Sequence, residues 1–174
     1  MRNLVAEAKA QYKELIEKAV NEAIAAGELP EGEIPKFNIE IPADNKNGDL
    51  ASNVAMVSAK AFRKAPRQIA ETIVSHISLD GTYFEKAEVA GPGFLNVFYA
   101  PHWFAETVSA VLTEKETYGT GNMGKGEKVM VEFVSANPTG PMHMGNARGG
   151  AIGDGLAEAM KWCGYDVTRE FYIN

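Results

Sequence analysis

The stretch Val129–Arg148 constrains the fold most, because a strand pattern, a turn and a helix start follow one another within twenty residues. Apolar residues alternate from Val129 to Phe133, and the run Asn137–Pro141 then interrupts the strand with two prolines and a glycine. A helical pattern of small residues begins near Gly145. A helix that starts directly after such a loop presents free backbone N–H groups and the positive end of its dipole, which favours phosphate binding.

Composition narrows the possible functions. A formal net charge of -6 argues against binding nucleic acid by bulk attraction, so any RNA contact must depend on local charge. The single cysteine, Cys163, excludes an intrachain disulfide, and the helical patterns around His76 and His102 offer no companion ligands for a metal. No apolar segment reaches the roughly 20 residues of a membrane span. We therefore expect a cytoplasmic protein with no membrane contact and no metal site.

Residues 1–118 alternate between helical and strand patterns and predict an α+β domain. We expect helices packed on a small antiparallel sheet, with a hairpin turning at Gly91–Gly93. The predicted elements are a helix over 3–26, a short strand over 37–41, a helix capped by Asp49 and ending near Phe62, a helix from Pro66, strands within 83–99 and a helix from Pro101 that buries Trp103, Phe104, Val108, Val111 and Leu112. Four glycines follow within nine residues, so residues 119–127 are predicted to be a flexible linker.

Residues 128–174 predict a strand, a helix and a second strand joined by a parallel crossover. The strands are expected over 128–135 and 165–173, and the helix over 145–163. Its inward positions are predicted to be Ile152, Leu156, Ala159, Met160 and Cys163. One helix covers only one face of such a sheet, so we expect the first β-α-β unit of a larger, Rossmann-like domain that is truncated here.

Several polar residues allow both a structural and a functional interpretation. His143 is either a helix cap or a reactive group, and Glu132 lies either at a solvated edge or buried beside a cation. Ser135 and Asn137 are either turn formers or ligand contacts at a strand end. A basic cluster is either a solvated helix end or a phosphate contact; it consists of Lys60, Arg63, Lys64 and Arg67. Phe94 and Asn96 share a strand face, which is either core or a surface for an unpaired base.

Five segments of the chain resemble arginyl-tRNA synthetases, a family of class I aminoacyl-tRNA synthetases. These segments are 48–55, 90–96, 132–148, 151–154 and 164–169. The tetrapeptide His143–Asn146 is similar to the first class I signature, HIGH, with methionine at the second position and asparagine in place of the last histidine. The longer block around it is more specific than the tetrapeptide. The resemblance covers essentially the whole chain.

The resemblance implies that arginine and ATP form arginyl-adenylate and that the arginyl group then passes to arginine tRNA. His143 and Asn146 would hold ATP phosphates, and Gly145 would leave room for the nucleotide. Glu132, Ser135, Asn137 and His143 would contact L-arginine, with Glu132 as the partner of the guanidinium. ATP with Mg²⁺ would be a substrate, with no tightly bound cofactor. Asn146 departs from the signature's histidine, because it can still donate a hydrogen bond but cannot carry charge.

The resemblance also assigns the first domain to the elbow of the tRNA. Phe94 and Asn96 would take a nucleotide of the D-loop, and the basic cluster would contact the tRNA backbone. The second signature, KMSKS, and an anticodon-binding domain are not in the sequence, so we expect a monomeric N-terminal fragment that is inactive alone. Two alternatives stay open: a stand-alone tRNA-binding module with a vestigial nucleotide fold, and a class I synthetase for another amino acid.

Overall fold

Residues 3–173 are described by the structure, a computed structural model, and they form two units that meet in sequence between Thr113 and Glu114. The first unit contains α1 (Leu4–Ala25), β1 (Ile39–Glu40), β2 (Leu50–Ser52), α2 (Val54–Phe62), α3 (Pro66–His76), β3 (Phe84–Ala90), β4 (Phe94–Tyr99) and α4 (Pro101–Glu114). The second unit contains β5 (Lys128–Glu132), α5 (Met144–Trp162) and β6 (Asp166–Glu170). The predicted fold class is confirmed.

The first unit is built on one antiparallel sheet with the strand order β1-β2-β4-β3. Strand β4 is central, since Asn96 lies opposite Ala51 on one side and Glu88 on the other. Leu95 and Val97 point into the core, whereas Phe94 and Phe98 are only half-buried. The alternation of β4 therefore divides the sheet into a covered face and an open face, as the sequence predicts.

Helix α1 forms because a cap and a regular apolar stripe coincide. The side chain of Asn3 accepts a hydrogen bond from the backbone N–H of Ala6 at 2.9 Å, which satisfies one free donor of the first turn. The buried positions recur at three- and four-residue spacing from Leu4 to Ala23. Tyr12 is fully buried, its hydroxyl donates to the carbonyl oxygen of Leu95 at 2.9 Å, and burial raises its pKa well above the usual range. This bond ties α1 to the central strand.

The prediction that Asp49 caps a helix is wrong, because residues 50–52 form strand β2 instead. The Asp49 backbone N–H donates to Val97 at 2.9 Å, and its carboxylate accepts from the backbone N–H of Tyr99 at 2.7 Å. Helix α2 starts only at Val54. A local cap signal is overridden here, since pairing with β4 satisfies the same backbone groups and buries the whole of β2.

The apolar face predicted for α4 is exposed apart from Trp103. Phe104, Val108 and Leu112 are 53%, 58% and 70% exposed, and Val111 also is exposed. Trp103 is buried because its ring stacks on Tyr99 with a centroid distance of 3.9 Å. The sequence thus locates α4 correctly but assigns too many of its residues to the core.

In the second unit β5 and β6 pair in parallel, with Lys128 opposite Asp166 and Glu132 opposite Glu170. Helix α5 is their crossover, as predicted. Its buried positions, however, are Gly153 and Ala157. The predicted inward residues Ile152, Leu156 and Ala159 are exposed, and Met160 and Cys163 are half-buried. A Cβ at Gly153 would lie 2.3 Å from Cγ of Phe133, so small residues let the helix approach the strand closely.

Residues 119–127, predicted to be a flexible connection, are hydrogen-bonded to the end of α5. The backbone N–H of Gly121 donates to Trp162 at 2.7 Å, and that of Gly124 donates to Cys163 at 2.9 Å. Gly126 donates to Gly164 at 2.8 Å. Glycines serve here for close approach as well as for turning, since a Cβ at Gly124 would lie 2.4 Å from the ring of Tyr165.

Candidate functional site

The chain leaves β5 through a strained residue. The backbone N–H of Phe133 still donates to Glu170 at 3.2 Å, but Val134 then adopts φ 63°. A β-branched residue with positive φ is a genuine outlier, and such conformations cost on the order of 1–3 kcal/mol. The backbone N–H of Ala136 closes the turn by donating to Val134 at 2.8 Å. The residues that follow are thereby directed away from the sheet and toward the start of α5.

His143 and Asn146 form a reciprocal cap on α5. Nδ1 of His143 accepts a hydrogen bond from the backbone N–H of Gly145 at 3.0 Å, and Oδ1 of Asn146 accepts from the backbone N–H of His143 at 3.1 Å. This arrangement is a capping box, with the imidazole as the capping side chain. The structural interpretation of His143 as a helix cap is therefore correct, and it leaves the functional one open.

The cap fixes the chemistry of the exposed imidazole edge. Because Nδ1 accepts a hydrogen bond, it carries no proton, so a neutral imidazole must carry its proton on Nε2. The free edge of His143 is then a hydrogen-bond donor. The oxygen of the Asn146 side chain is occupied by the cap, which leaves its NH₂ group as a second donor. Two hydrogen-bond donors at the positive end of a 19-residue helix suit an anionic ligand.

Gly145 is needed first by the imidazole itself. A Cβ at this position would lie 2.8 Å from Cε1 and 2.9 Å from Nδ1 of His143. The predicted role of Gly145 was to leave room for a nucleotide. In the structure the missing side chain makes room for the ring that caps the helix.

A cavity of about 500 Å³ opens in front of this cap. Its lining is Ala136, Asn137, Pro138, Thr139, Gly140, Pro141, Met142, His143, Asn146, Phe171, Tyr172 and Ile173. The structure thus brings Asn137, His143 and Asn146 together. Ser135 lies at its border, since its Oγ accepts a hydrogen bond from the backbone N–H of Tyr172 at 2.9 Å. That bond joins the segment after β5 to the segment after β6.

Glu132 does not line this cavity. It is exposed, and since Arg169 contacts α5, the alternation of the strands places Glu132 and Glu170 on the opposite face. Their direct pairing sets two carboxylates side by side at the ends of parallel strands. Sequence reasoning missed Glu170; aligning the two predicted strands in parallel from Lys128 and Asp166 finds it.

Arg169 connects β6 to α5. Its Nε lies 2.9 Å from Oδ1 of Asp154, and one of its terminal nitrogens lies 2.9 Å from Oε2 of Glu158. The hydrogen bond from Arg169 lowers the pKa of Glu158, and both carboxylates raise the pKa of Arg169. These contacts hold the crossover helix against the second strand.

The first unit carries a separate cavity of about 290 Å³ on the open face of its sheet, here called the Asn96 pocket. Its lining is Glu40, Pro42, Ala43, Asn47, Ala51, Ala90, Gly91, Phe94 and Asn96. Asn96 is only 1% exposed, and its Oδ1 has no hydrogen-bond partner among residues 3–173. A buried acceptor without a partner is costly, by about 1–3 kcal/mol, and a ligand that donates a hydrogen bond would remove that cost.

The basic cluster is partly occupied by contacts within the chain. Lys64 donates from Nζ to the carbonyl oxygen of Glu28. Arg67 contacts Glu71 at 3.0 Å and donates to the carbonyl oxygen of Gly91 at 3.3 Å, which places it at the rim of the Asn96 pocket. Lys60 and Arg63 are exposed at the end of α2. The structure therefore brings only Arg67 of the four to that pocket.

Among residues 3–173 no group of three or more His, Cys, Asp or Glu side chains is arranged to hold a metal ion. None of the helices formed by these residues is long and apolar enough to span a bilayer.

Comparison with known proteins gives a consistent result for both units. The chain matches the family described as "Arginyl tRNA synthetase N terminal domain" over residues 10–99 and the family "tRNA synthetases class I (R), catalytic domain" over residues 107–174. The arginine–tRNA ligase of Acetivibrio thermocellus is 50% identical over 174 residues, which are 100% of this chain and 31% of that relative. The enzyme of Caldanaerobacter subterraneus subsp. tengcongensis is 52% identical with the same coverage.

A solved structure shows the same fold. The arginyl-tRNA synthetase of Plasmodium falciparum aligns with 94% of this chain and 30% of its own length, at a TM-score of 0.57 and 18% identity. The chain therefore spans about 31% of the length of the curated relatives it matches.

Proposed function

This chain belongs to the arginyl-tRNA synthetase family, and from that premise we propose that it supplies the tRNA-elbow domain and the first nucleotide-binding unit of an arginine–tRNA ligase. The complete reaction joins arginine to ATP as arginyl-adenylate with release of pyrophosphate, and then transfers the arginyl group to arginine tRNA. The chain spans about 31% of its relatives' length, so this activity belongs to a longer protein. We expect the 174-residue chain alone to show no arginine-dependent ATP–pyrophosphate exchange.

The observation that carries the proposal is the capped start of α5 beside the cavity of about 500 Å³. His143 offers Nε2–H and Asn146 offers its NH₂ group, both at the positive end of the helix. Negative charge grows on the α-phosphate oxygens when a carboxylate attacks the α-phosphorus atom and pyrophosphate leaves, and donors already in place stabilise that charge. We assign both residues to ATP phosphate oxygens. Gly145 acts indirectly, since it admits the imidazole ring.

Arginine is assigned to the ends of β5 and β6, on the face of the sheet opposite α5. Glu132 and Glu170 lie opposite each other on β5 and β6, and a guanidinium between their side chains would form charge-assisted hydrogen bonds with both carboxylates. Ser135, Asn137 and His143 follow β5 along the chain, and we assign them to the α-amino and carboxylate ends of the substrate. Mg²⁺ accompanies ATP as part of the substrate, since phosphate-bound Mg²⁺ needs few protein ligands. We further propose a monomer that works in the cytoplasm.

The first unit is assigned to the tRNA through the Asn96 pocket. Phe94 is half-buried at its wall and offers a ring face for stacking, and Asn96 Oδ1 is the acceptor that an unpaired base would satisfy. Arg67 at the rim is the member of the basic cluster that is placed to contact the tRNA backbone there. Lys60, Arg63 and Lys64 remain assigned to more distant backbone contacts.

Steady-state pyrophosphate exchange by the full-length enzyme tests the arginine assignment. We expect Glu132→Gln to raise KM for arginine at least tenfold, about 1.4 kcal/mol, and to leave KM for ATP within about twofold. Glu127→Gln is the matched control, because Glu127 is an exposed carboxylate just before the same strand. Equal changes in the two KM values for Glu132→Gln would contradict the assignment.

A further inference from the structure

A second groove in the first unit is not used by any function described so far. It lies between α1 and the segment 34–39 and has a volume of about 580 Å³; we call it the lysine groove. Its lining is Lys9, Ala10, Lys13, Glu17, Ile34, Pro35, Lys36, Phe37 and Ile39. We propose that the lysine groove binds the sugar-phosphate backbone of the same RNA whose base enters the Asn96 pocket. The proposal rests on the tRNA-binding function proposed above.

The charge of the groove is opposite to that of the unit that contains it. Residues 3–113 hold ten Lys and Arg against fifteen Asp and Glu, yet three lysines and one glutamate line this groove. Nζ of Lys13 lies 3.6 Å from Oε1 of Glu17, so one positive charge is compensated within the chain. Lys9 and Lys36 have no ion-pair partner in the described part of the chain. Two uncompensated positive charges therefore face the groove, which suits an anionic strand.

The floor of the groove is apolar. Ile34, Phe37 and Ile39 are half-buried and pack against the core of the unit. An apolar floor beneath lysine side chains matches a nucleic-acid strand, which presents ribose and base surfaces between its phosphates. Surfaces that bind single strands combine these features: positive charge that follows the backbone, and an aromatic ring on which a base can stack.

The position of β1 favours RNA over an acidic protein segment. Ile39 lines the lysine groove and its neighbour Glu40 lines the Asn96 pocket, so the edge strand β1 separates the two surfaces. Neighbouring strand residues are only about 3.3 Å apart along the chain and point to opposite faces. A strand of RNA with one base in the Asn96 pocket thus passes around this edge within reach of Lys36. An acidic peptide has no such reason to follow both surfaces.

The salt dependence of tRNA binding tests the proposal. Binding of a fluorescent arginine tRNA transcript by the 174-residue chain is measured by anisotropy between about 50 and 200 mM salt, the range over which phosphate contacts change affinity strongly. The slope of log affinity against log salt is negative. For the triple variant Lys9→Gln, Lys13→Gln and Lys36→Gln, we expect its magnitude to decrease by about 2, because phosphate contacts are lost. The affinity at the lower salt concentration should fall at least tenfold.

The control removes the same number of charges elsewhere. Lys18, Lys125 and Lys161 lie outside the groove, and Lys18 and Lys161 have carboxylates 3.8 and 4.0 Å away. Their triple change to glutamine should leave the slope within about 0.5 of the unchanged chain, as expected when no phosphate contact is lost. A smaller slope in the groove variant alone supports the proposal.

Three outcomes would overturn it. If the magnitude of the salt-dependence slope decreases equally in both triple variants, overall charge and not the groove determines tRNA affinity. If the groove variant binds tRNA normally but loses affinity for poly-glutamate, the groove accepts acidic protein. If the unchanged chain does not bind tRNA at all, the proposed function of the first unit fails as well, which distinguishes that failure from failure of the groove alone.

Discussion

Gly153 offers a test of the close approach between α5 and the end of β5. Glycine inside a helix is normally unfavourable, and alanine stabilises an exposed helix interior by about 1 kcal/mol. Gly153→Ala should do the opposite. Its new Cβ would lie 2.3 Å from Cγ and 2.4 Å from Cβ of Phe133. The Cβ of Phe133 is fixed to the backbone, so a rotamer change cannot remove the overlap.

The magnitude follows from the size of that overlap. Carbon atoms in contact lie about 3.5–4.0 Å apart, so the helix must shift by about 1 Å or more. Overpacking of this kind costs about 1–3 kcal/mol, and the severe overlap places Gly153→Ala near the upper limit. After the gain in helix propensity, the helix should be destabilised by about 2 kcal/mol. The start of α5, which carries His143, would shift with it.

Amide hydrogen exchange measured by mass spectrometry reads the local opening of α5. The peptides that cover α5 should exchange about 30-fold faster in Gly153→Ala, as about 2 kcal/mol implies. Gly149→Ala and Gly155→Ala are matched controls in the same helix, because a Cβ at either position meets no atom within 4 Å. Each control should slow exchange by up to about fivefold.

The direction of the change in exchange rate decides whether the reasoning holds. If Gly153→Ala slows exchange as the two controls do, α5 is not held closely against Phe133 and the reasoning fails.

Two further predictions concern single contacts. Burial and then the Asp49 carboxylate raise the pKa of Tyr99 to about 12. Asp49→Asn should therefore lower that pKa while leaving it above 10, measured by ultraviolet absorbance titration, and an unchanged pKa would exclude the carboxylate as a cause. The pKa of Tyr99 is higher in the folded state than in the unfolded chain, so Tyr99 contributes stability below pH 10 that is lost as the pH rises through 12. Urea unfolding should therefore give a lower free energy of unfolding at pH 11 than at pH 9. His143→Ala should remove a helix cap worth about 1 kcal/mol, whereas His143→Asn should keep it. Amide hydrogen exchange of the first turn of α5 measures both effects. Equal protection of this turn in His143→Ala and His143→Asn would contradict the capping role.

Elements with strong local signals could be predicted from the sequence. Helix α1 has a cap at Asn3 and an unbroken apolar stripe, so local and tertiary preferences agree. The hairpin β3-β4 is marked by Gly91–Gly93, and the β5-α5-β6 crossover by the change of period around the loop before His143. In these regions the residues that decide the structure are neighbours in the sequence.

Features that depend on distant partners could not be predicted. Asp49 is a suitable N-cap residue by local sequence alone. Residues 50–52 form a strand instead because they pair with β4, which is distant in the sequence. The buried face of α5 was misassigned because apolarity favours Ile152 and Leu156, whereas the distance to Phe133 requires Gly153.

The candidate site shows the same limit. His143, Asn146 and Asn137 could be selected from residue types around the loop, and the structure does bring them together. The reciprocal cap could not be predicted, because its two hydrogen bonds depend on how the side chains of His143 and Asn146 are oriented. Glu170 was missed since its relevance depends on the register of two strands that a whole helix separates.

The residues in and around the edge strand β1 are divided between two surfaces of the first unit. Phe37 and Ile39 belong to one surface, while Glu40 and Pro42 belong to the other. Substitutions on one surface therefore leave the chemistry of its counterpart unchanged, and the two can diverge independently. A deletion or insertion of one residue at Ile39–Glu40 has a different effect, because it would reverse the alternation there and turn one side chain toward the wrong surface. Length in this short segment is thus more constrained than residue identity.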